Sequence, residues 1–237
     1  MHHERPLATK TVFIPSDLTV DRPLRRLLRS SSLSKRMEEI QAELDAKEIP
    51  GDISYEEGKL LYRWAQRCHS KQTLVAVGAL QGRSTAWLYH GAHGQAQLVV
   101  CPLEHHAGEK ANYRYQLRKL GIEKQVQMHT HHAAETSGKP AEIDFLLIEG
   151  GKDRERIQKE VSLWFPRLKV GGILAFHDSL GQKNPEVHHV ACSTLFDQPY
   201  FRRVRFKHSI IYATKTERTT QREKWAKKGI QQLLASR

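Results

Sequence analysis

Cysteine is scarce in this chain of 237 residues, which carries only Cys68, Cys101 and Cys192. An odd, widely spaced set forms neither a CxxC pair nor a disulfide framework, so the expectation is a reducing compartment and three small core hydrophobes. Long apolar runs are missing too. The opening MHHERPLATKTVFIPSDL lacks the continuous hydrophobic centre of a secretory signal, and no stretch is long enough to span a bilayer. A cytoplasmic protein without a membrane span is the simplest expectation. Acids are the third shortage: 26 Asp and Glu stand against 38 Lys and Arg, giving a formal net charge of +12. Internal repeats and low-complexity tracts are also absent, which excludes solenoids and arrays.

What is present suffices for one main domain with appendages, since 39% of the residues are hydrophobic. The basic residues are clustered. Arg22, Arg25, Arg26, Arg29, Lys35 and Arg36 crowd one early segment, Arg202, Arg203, Arg205 and Lys207 a late one, and Lys224, Lys227 and Lys228 lie near the end. Such clusters attract a polyanion of any kind, whether nucleic acid, an anionic membrane surface or a phosphorylated or sulfated substrate, and charge alone does not choose among them.

Around SKRMEEIQAELDAKE, the residues Met37, Ile40 and Leu44 recur at helical spacing and predict an amphipathic arm over residues 1–53. Ser54 with Glu57 three residues on is a helix-start signature, followed by Leu60, Leu61, Trp64, Ala65 and Cys68 on one face. From residue 73 short apolar runs (TLVAVGAL, QLVVC, VQMHT, IDFLLIE and GILAFHD) alternate with the amphipathic stretches RSTAWLYHG, EKANYRYQLRKLG and RERIQKEVSLWFPRL. That alternation predicts five parallel strands with helices on both faces. FRRVRFKH and SIIYATK lie too close in sequence for a parallel crossover and are expected to finish the sheet as an antiparallel hairpin. An α/β domain is thus expected over residues 54–215, and a basic C-terminal helix over 216–237, with Trp225, Ile230, Leu233 and Leu234 as its apolar contacts.

In open α/β sheets ligands bind beyond the carboxyl ends of the strands. After the first strand, VAVGALQGRST places Gly78 and Gly82 before Ser84 and Thr85 at a helix start, where backbone can approach a ligand closely beneath free N–H groups. Glu149 ends the fourth strand, and His177 with Asp178 ends the fifth. An acid, an imidazole and a second acid at one sheet edge can bind a divalent cation or act as a general base. The plainer alternatives are that Asp178 caps a turn and that His177 is a satisfied core histidine. Among the 14 histidines no spacing matches a structural zinc site.

Three stretches, IPGDISYEEGKLLYRWA, VAVGALQGRSTAWL and IDFLLIEGGKDRERIQKEVSLWFPRLKVGGILAFHDS, resemble the class I S-adenosylmethionine-dependent methyltransferases. The chain is most similar to the small O-methyltransferases of macrocin and rhamnosyl type, and the resemblance spans roughly residues 49–180. It implies a Rossmann-like fold with S-adenosylmethionine as cofactor. The cofactor contacts it implies begin with Val77, Gly78, Ala79, Gly82, Ser84 and Thr85 around the amino acid part. Cys101 or Glu104 would lie at the ribose and His132 near the adenine, with Glu149 beside the methionine moiety. Lys152, His177 and Asp178 would serve catalysis, and Glu149, His177 and Asp178 would hold a cation such as Mg if one is used.

The sequence departs from the family's pattern in three places. Ala76 and Cys101 stand where an acid is usual, and Gly151 replaces an acid after the fourth strand. Two classes of function follow. One is methyl transfer to an oxygen of a small-molecule or sugar acceptor. The other is a methyltransferase-like binding module that has lost catalysis and holds a polyanion through its basic clusters. Methylation of a nucleic acid base is disfavoured, because no asparagine-proline-proline-aromatic motif is present. The N-terminal arm is open to two readings, covering the active site or pairing with a second subunit in a homo-oligomer.

Overall fold

The computed structural model describes residues 22–78, 81–102, 108–129, 142–151, 153–180 and 184–235. Ala79, Glu104, His131, His132 and Lys152 lie outside the described residues. Residues 1–38 and 39–237 form two compact units, and the sheet lies wholly in the second.

The first helix, α1 (Arg22–Ala46), begins well before the stretch whose periodicity predicts it. Its Ile40 and Leu44 are buried, as their spacing requires. α2 (Tyr55–Ala65) starts on a capping box: the Ser54 side chain accepts from the Glu57 N–H, and the Glu57 carboxylate accepts from the Ser54 N–H.

The sheet comprises β1 (Thr73–Val77), β2 (Gln97–Cys101), β3 (Val126–Met128), β4 (Ile143–Ile148), β5 (Leu168–Phe176), β6 (Phe201–Lys207) and β7 (Ile210–Lys215). Its seven strands run in the order 3-2-1-4-5-7-6. β1 to β5 pair in parallel, and β7 lies antiparallel between β5 and β6. Both the five parallel strands and the terminal hairpin match expectation.

The helices between strands are α3 (Arg83–Ala92), α4 (Glu109–Lys119) and α5 (Arg154–Trp164). α6 (Pro185–Cys192) follows β5, and α7 (Gln221–Ala235) ends the chain. No helix among the described residues is long and apolar enough to cross a membrane.

Covered on both faces, β1 is buried along its whole length. Ile157, Val161 and Trp164 of α5 and Val187, Val190 and Ala191 of α6 join the core cluster with Val75, Val77, Ile148 and Phe176 of the strands. Toward α2, Trp64 meets Phe145 and Tyr212, with ring centroids 5.3 and 4.7 Å away. α2 and α3 pack backbone to backbone. A Cβ added at Gly58 would lie 2.2 Å from the Trp87 ring, and one at Gly91 would lie 2.4 Å from the Tyr62 carbonyl oxygen.

Two sequence readings need correction. α6 was not expected: its eight residues are started by the Asn184 side chain, which accepts from Val187 N–H, and by Pro185 in the first turn. Trp225, expected as an apolar contact of the last helix, is 74% exposed. α7 turns Ile230 toward the core as expected, and buries the stem of Lys227, whose Nζ donates to the Gln198 carbonyl at 2.8 Å.

Candidate functional site

Backbone pairing continues one residue past each central strand. Gly78 N–H donates to Cys101 O, Glu149 N–H to Val77 O, and His177 N–H to Ile148 O, at 2.9, 2.7 and 3.0 Å. That ladder sets Gly78, Glu149 and His177 side by side along the carboxyl edge. They line a cavity of about 500 Å³, counting space open to solvent, together with Gly82, Ser84 and Asp178. Six residues singled out from sequence therefore converge. Val77, Thr85 and Cys101 do not line the cavity. The Thr85 hydroxyl shares a buried 2.6 Å hydrogen bond with the Tyr113 hydroxyl, and Cys101 packs in the core.

Glycine conformation shapes the cavity. Gly78 and Gly82 have φ of +88° and +92°, in the left-handed region that side chains avoid. Gly82 precedes α3 with no side-chain cap, so the first-turn N–H groups of that helix have no side-chain capping oxygen among the described residues.

Glu149 is the central acid. Ser84 Oγ donates to its Oε2 at 2.7 Å, while Oε1 is buried with no hydrogen-bond partner among the described residues. Burial raises its pKa, and the neighbouring carboxylates Asp178 and Glu57 add to the rise against the opposing pull of His177 and Ser84.

Sequence reading treated Glu57 only as a helix cap. In the fold it is also the anchor of His177. One oxygen, Oε1, accepts from Ser209 N–H and Oγ at 2.9 and 2.5 Å, and the other, Oε2, from Ser54 N–H and Oγ at 3.0 and 2.7 Å. His177 Nε2 stands 3.7 Å from Glu57 Oε2 and 3.7 Å from Asp178 Oδ1, distances of ionic contact rather than hydrogen bonding. Burial opposes a charged Glu57, but His177, Ser209 and Ser54 outweigh it and hold the carboxyl well below its usual range. Burial likewise opposes a charged His177, and Glu57, Glu149 and Asp178 together lift its pKa above the ordinary value. The ring is thus not a satisfied core histidine. Nor does the Asp178 side chain make a capping hydrogen bond among the described residues: the residue has φ +54°, and its N–H donates to Ser209 Oγ at 3.3 Å.

Arg83 was also missed. It lines the cavity, is ion-paired with Asp45, and keeps Nε buried with no partner among the described residues. Gly51 lies so close that a Cβ there would come within 2.7 Å of Arg83 Cβ. The only sequence signal was its place directly after Gly82.

The expected cation site finds no support among the described residues. Among the described residues no group of three His, Cys, Asp or Glu could hold a metal ion. Glu149 gives one oxygen to Ser84, and the His177 ring is drawn toward Glu57 and Asp178, so the three side chains do not turn their donors to one point.

The residues suit S-adenosylmethionine better. An unpartnered buried carboxylate oxygen seeks a cationic donor such as its ammonium, while an uncapped helix start with an adjacent guanidinium seeks an anion such as its carboxylate.

Residues 75–179 match a family model described as a methyltransferase domain. The fold is similar to the cofactor-bound protein Rv0187 from MTB, at 18% identity and TM-score 0.59, covering 85% of this chain and 94% of that one. It is similar to an O-methyltransferase from Bacillus cereus in complex with SAH, at 16% identity, TM-score 0.55, and 76% and 90% coverage. It is also similar to the O-methyltransferase TomG from Streptomyces achromogenes, solved with SAM, at 15% identity, TM-score 0.54, and 76% and 89% coverage. The Rossmann-like fold expected from the sequence is borne out, and the match of residues 75–179 to a methyltransferase-domain model agrees with the resemblance.

Proposed function

We propose, from the premise that residues 75–179 form a methyltransferase domain on a class I fold, that this chain methylates a hydroxyl oxygen of a small-molecule or glycosidic acceptor, with S-adenosylmethionine as donor. The observation that carries the reading is Glu149 Oε1, a buried carboxylate oxygen with no partner among the described residues at a cavity between strand ends.

Bound S-adenosylmethionine supplies a methyl group made electrophilic by its sulfonium. Glu149 Oε1 would accept a hydrogen bond from the donor's ammonium. The first turn of α3 and Arg83 would hold the donor's carboxylate, with Gly82 leaving room for close approach. His177 takes the proton of the acceptor hydroxyl, and Glu57 and Asp178 stabilise the imidazolium that forms. The remaining task is to hold acceptor oxygen and methyl group in line at near-attack distance.

The second reading, a polyanion-binding module without catalysis, draws on Ala76 and Cys101, which are buried apolar residues at positions where related enzymes carry acids. It requires that the cavity take no donor.

Methyl-labelled S-adenosylmethionine offered with a panel of catechols and glycosides tests the proposal. Label should appear on an acceptor oxygen. His177→Asn should lower kcat by about 10²-fold or more with donor affinity kept, and Lys152→Met tests the alternative base. Because the His177 pKa is raised, kcat should climb with pH through a midpoint above 6.5 as the ring loses its proton. Donor binding with no transfer to any hydroxyl, or a rate unaffected by His177→Asn, would remove the assignment.

A further inference from the structure

A second concavity lies between α2 and the β5-β7-β6 end of the sheet and shares no lining residue with the donor cavity. It encloses about 930 Å³, counting space open to solvent. Five of its ten lining residues are cations, namely Arg63, Arg67, Arg203, Arg205 and Lys207, and none is an acid. Among the described residues none of the five has a carboxylate partner in hydrogen-bond or ion-pair contact. Glu56, the acid whose charge lies near Lys207, is ion-paired with Lys59. Like charges held this close repel one another, and a fold gains nothing from collecting them in a concavity unless an anion enters.

The placement is specific. Register shifts between Arg202 and Arg205, and Arg203 takes φ +53°. Arg203 is exposed within this bulge, and after it Arg205 and Lys207 are exposed while Val204 is buried and Phe206 packs on the core. Alternate residues of a strand recur at about 6.6 Å, close to the step between consecutive phosphates of an extended nucleic acid strand. Arg63 in the last turn of α2 and Arg67 in the turn just past its end form the facing wall. Half-buried Tyr212 lines the floor between the two rows.

We propose that this groove binds a single-stranded nucleic acid through its phosphodiester backbone. Four of the five cations are arginine, whose planar fork matches phosphate oxygens in pairs. A groove between a helix and a strand admits a chain, whereas a membrane surface is too flat to follow it. Tyr212 offers a ring on which a base can rest, a contact that tolerates any sequence. The groove rises along β6 to the turn whose Ser209 bonds Glu57, so a bound strand lies beside the donor cavity without filling it. The inference does not depend on methyl transfer.

Fluorescence anisotropy of the full chain with a labelled mixed-sequence oligonucleotide of about a dozen nucleotides tests it across a salt series. Five phosphate contacts predict a slope of log affinity against log salt of about −3.5. The pair Arg63→Glu with Arg205→Glu should weaken binding at least tenfold. Lys224→Glu with Lys228→Glu, an equal charge change on exposed residues of α7, should cost less than threefold. Arg63→Gln with Arg205→Gln repeats the test without charge reversal, and melting curves verify folding. Equal losses in the groove and α7 variants would overturn the proposal, as would no binding at low salt. A third contradictory result is groove-sensitive binding of a sulfated polysaccharide or anionic vesicles with the oligonucleotide unaffected. Titration of S-adenosylmethionine into the same variants should be unchanged, so a failure here is separable from a failure of the donor cavity.

Discussion

A carboxylate buried with one oxygen unpartnered is held at a cost, and Glu149 is such a group. Its pKa is raised in the fold, so its contribution is best below the unfolded value near 4.5 and is lost as pH rises through the folded one. At neutral pH the acid therefore destabilises the chain. Glu149→Gln keeps an oxygen for Ser84 and removes the charge, and should raise stability at pH 7 by roughly 1 kcal/mol in urea unfolding. His177 carries the other pH dependence. Its raised pKa means that its ionic contacts stabilise fully below the ordinary value of 6.5 and fade as pH rises through the folded one. Glu57, held low, stabilises above 4.5 and loses its contribution as pH falls through its folded pKa. The pair is strongest between those two values, so His177→Asn should destabilise by roughly 1–2 kcal/mol near pH 6 and by less at pH 9, measured by urea midpoints. At this scale the sequence showed Glu149, His177 and Asp178, because each ends a readable apolar run. It showed only half of Glu57, because the cap is local while Ser209 lies 152 residues away.

Between elements, the closest fit is α2 against α3. Gly91 admits the Tyr62 carbonyl where any side chain would collide with backbone, so Gly91→Ala should cost about 1–3 kcal/mol in thermal unfolding. An equal melting temperature in that variant would show the two helices to be more loosely packed than described. The strands were legible because a parallel sheet covered on both faces needs unbroken apolar runs, and TLVAV is buried in full. α6 was not legible: eight residues containing two histidines and a glutamate make little more than two turns, too few for periodicity to emerge. In α7 the pattern pointed to Ile230, which packs on the core, and to Trp225, which is exposed, while the Lys227 stem faces the protein. Lys227 was counted only as a charge, although burial pushes its pKa down to about 8.

Across the whole molecule, strand order brings distant segments to one edge. β1 and β4 are adjacent although some 65 residues separate Ser84 from Glu149, whose side chains meet there. The crossover pattern of apolar runs was enough to anticipate that edge, and with it the convergence of Gly78, Glu149 and His177. The excess of positive charge and the run of Arg203, Arg205 and Lys207 were equally visible, but not the wall that faces them: Arg63 and Arg205 stand on different elements, and only folding sets them in one groove. The central claim is that the edge cavity receives S-adenosylmethionine through Glu149. Isothermal titration of S-adenosylmethionine into the wild-type chain and Glu149→Gln tests it most directly. The account predicts saturable heat at one site in the wild type and at least tenfold weaker binding in the variant, as expected for a lost hydrogen bond to a charged group. Absence of heat at millimolar donor, or equal affinity in the two proteins, would contradict it.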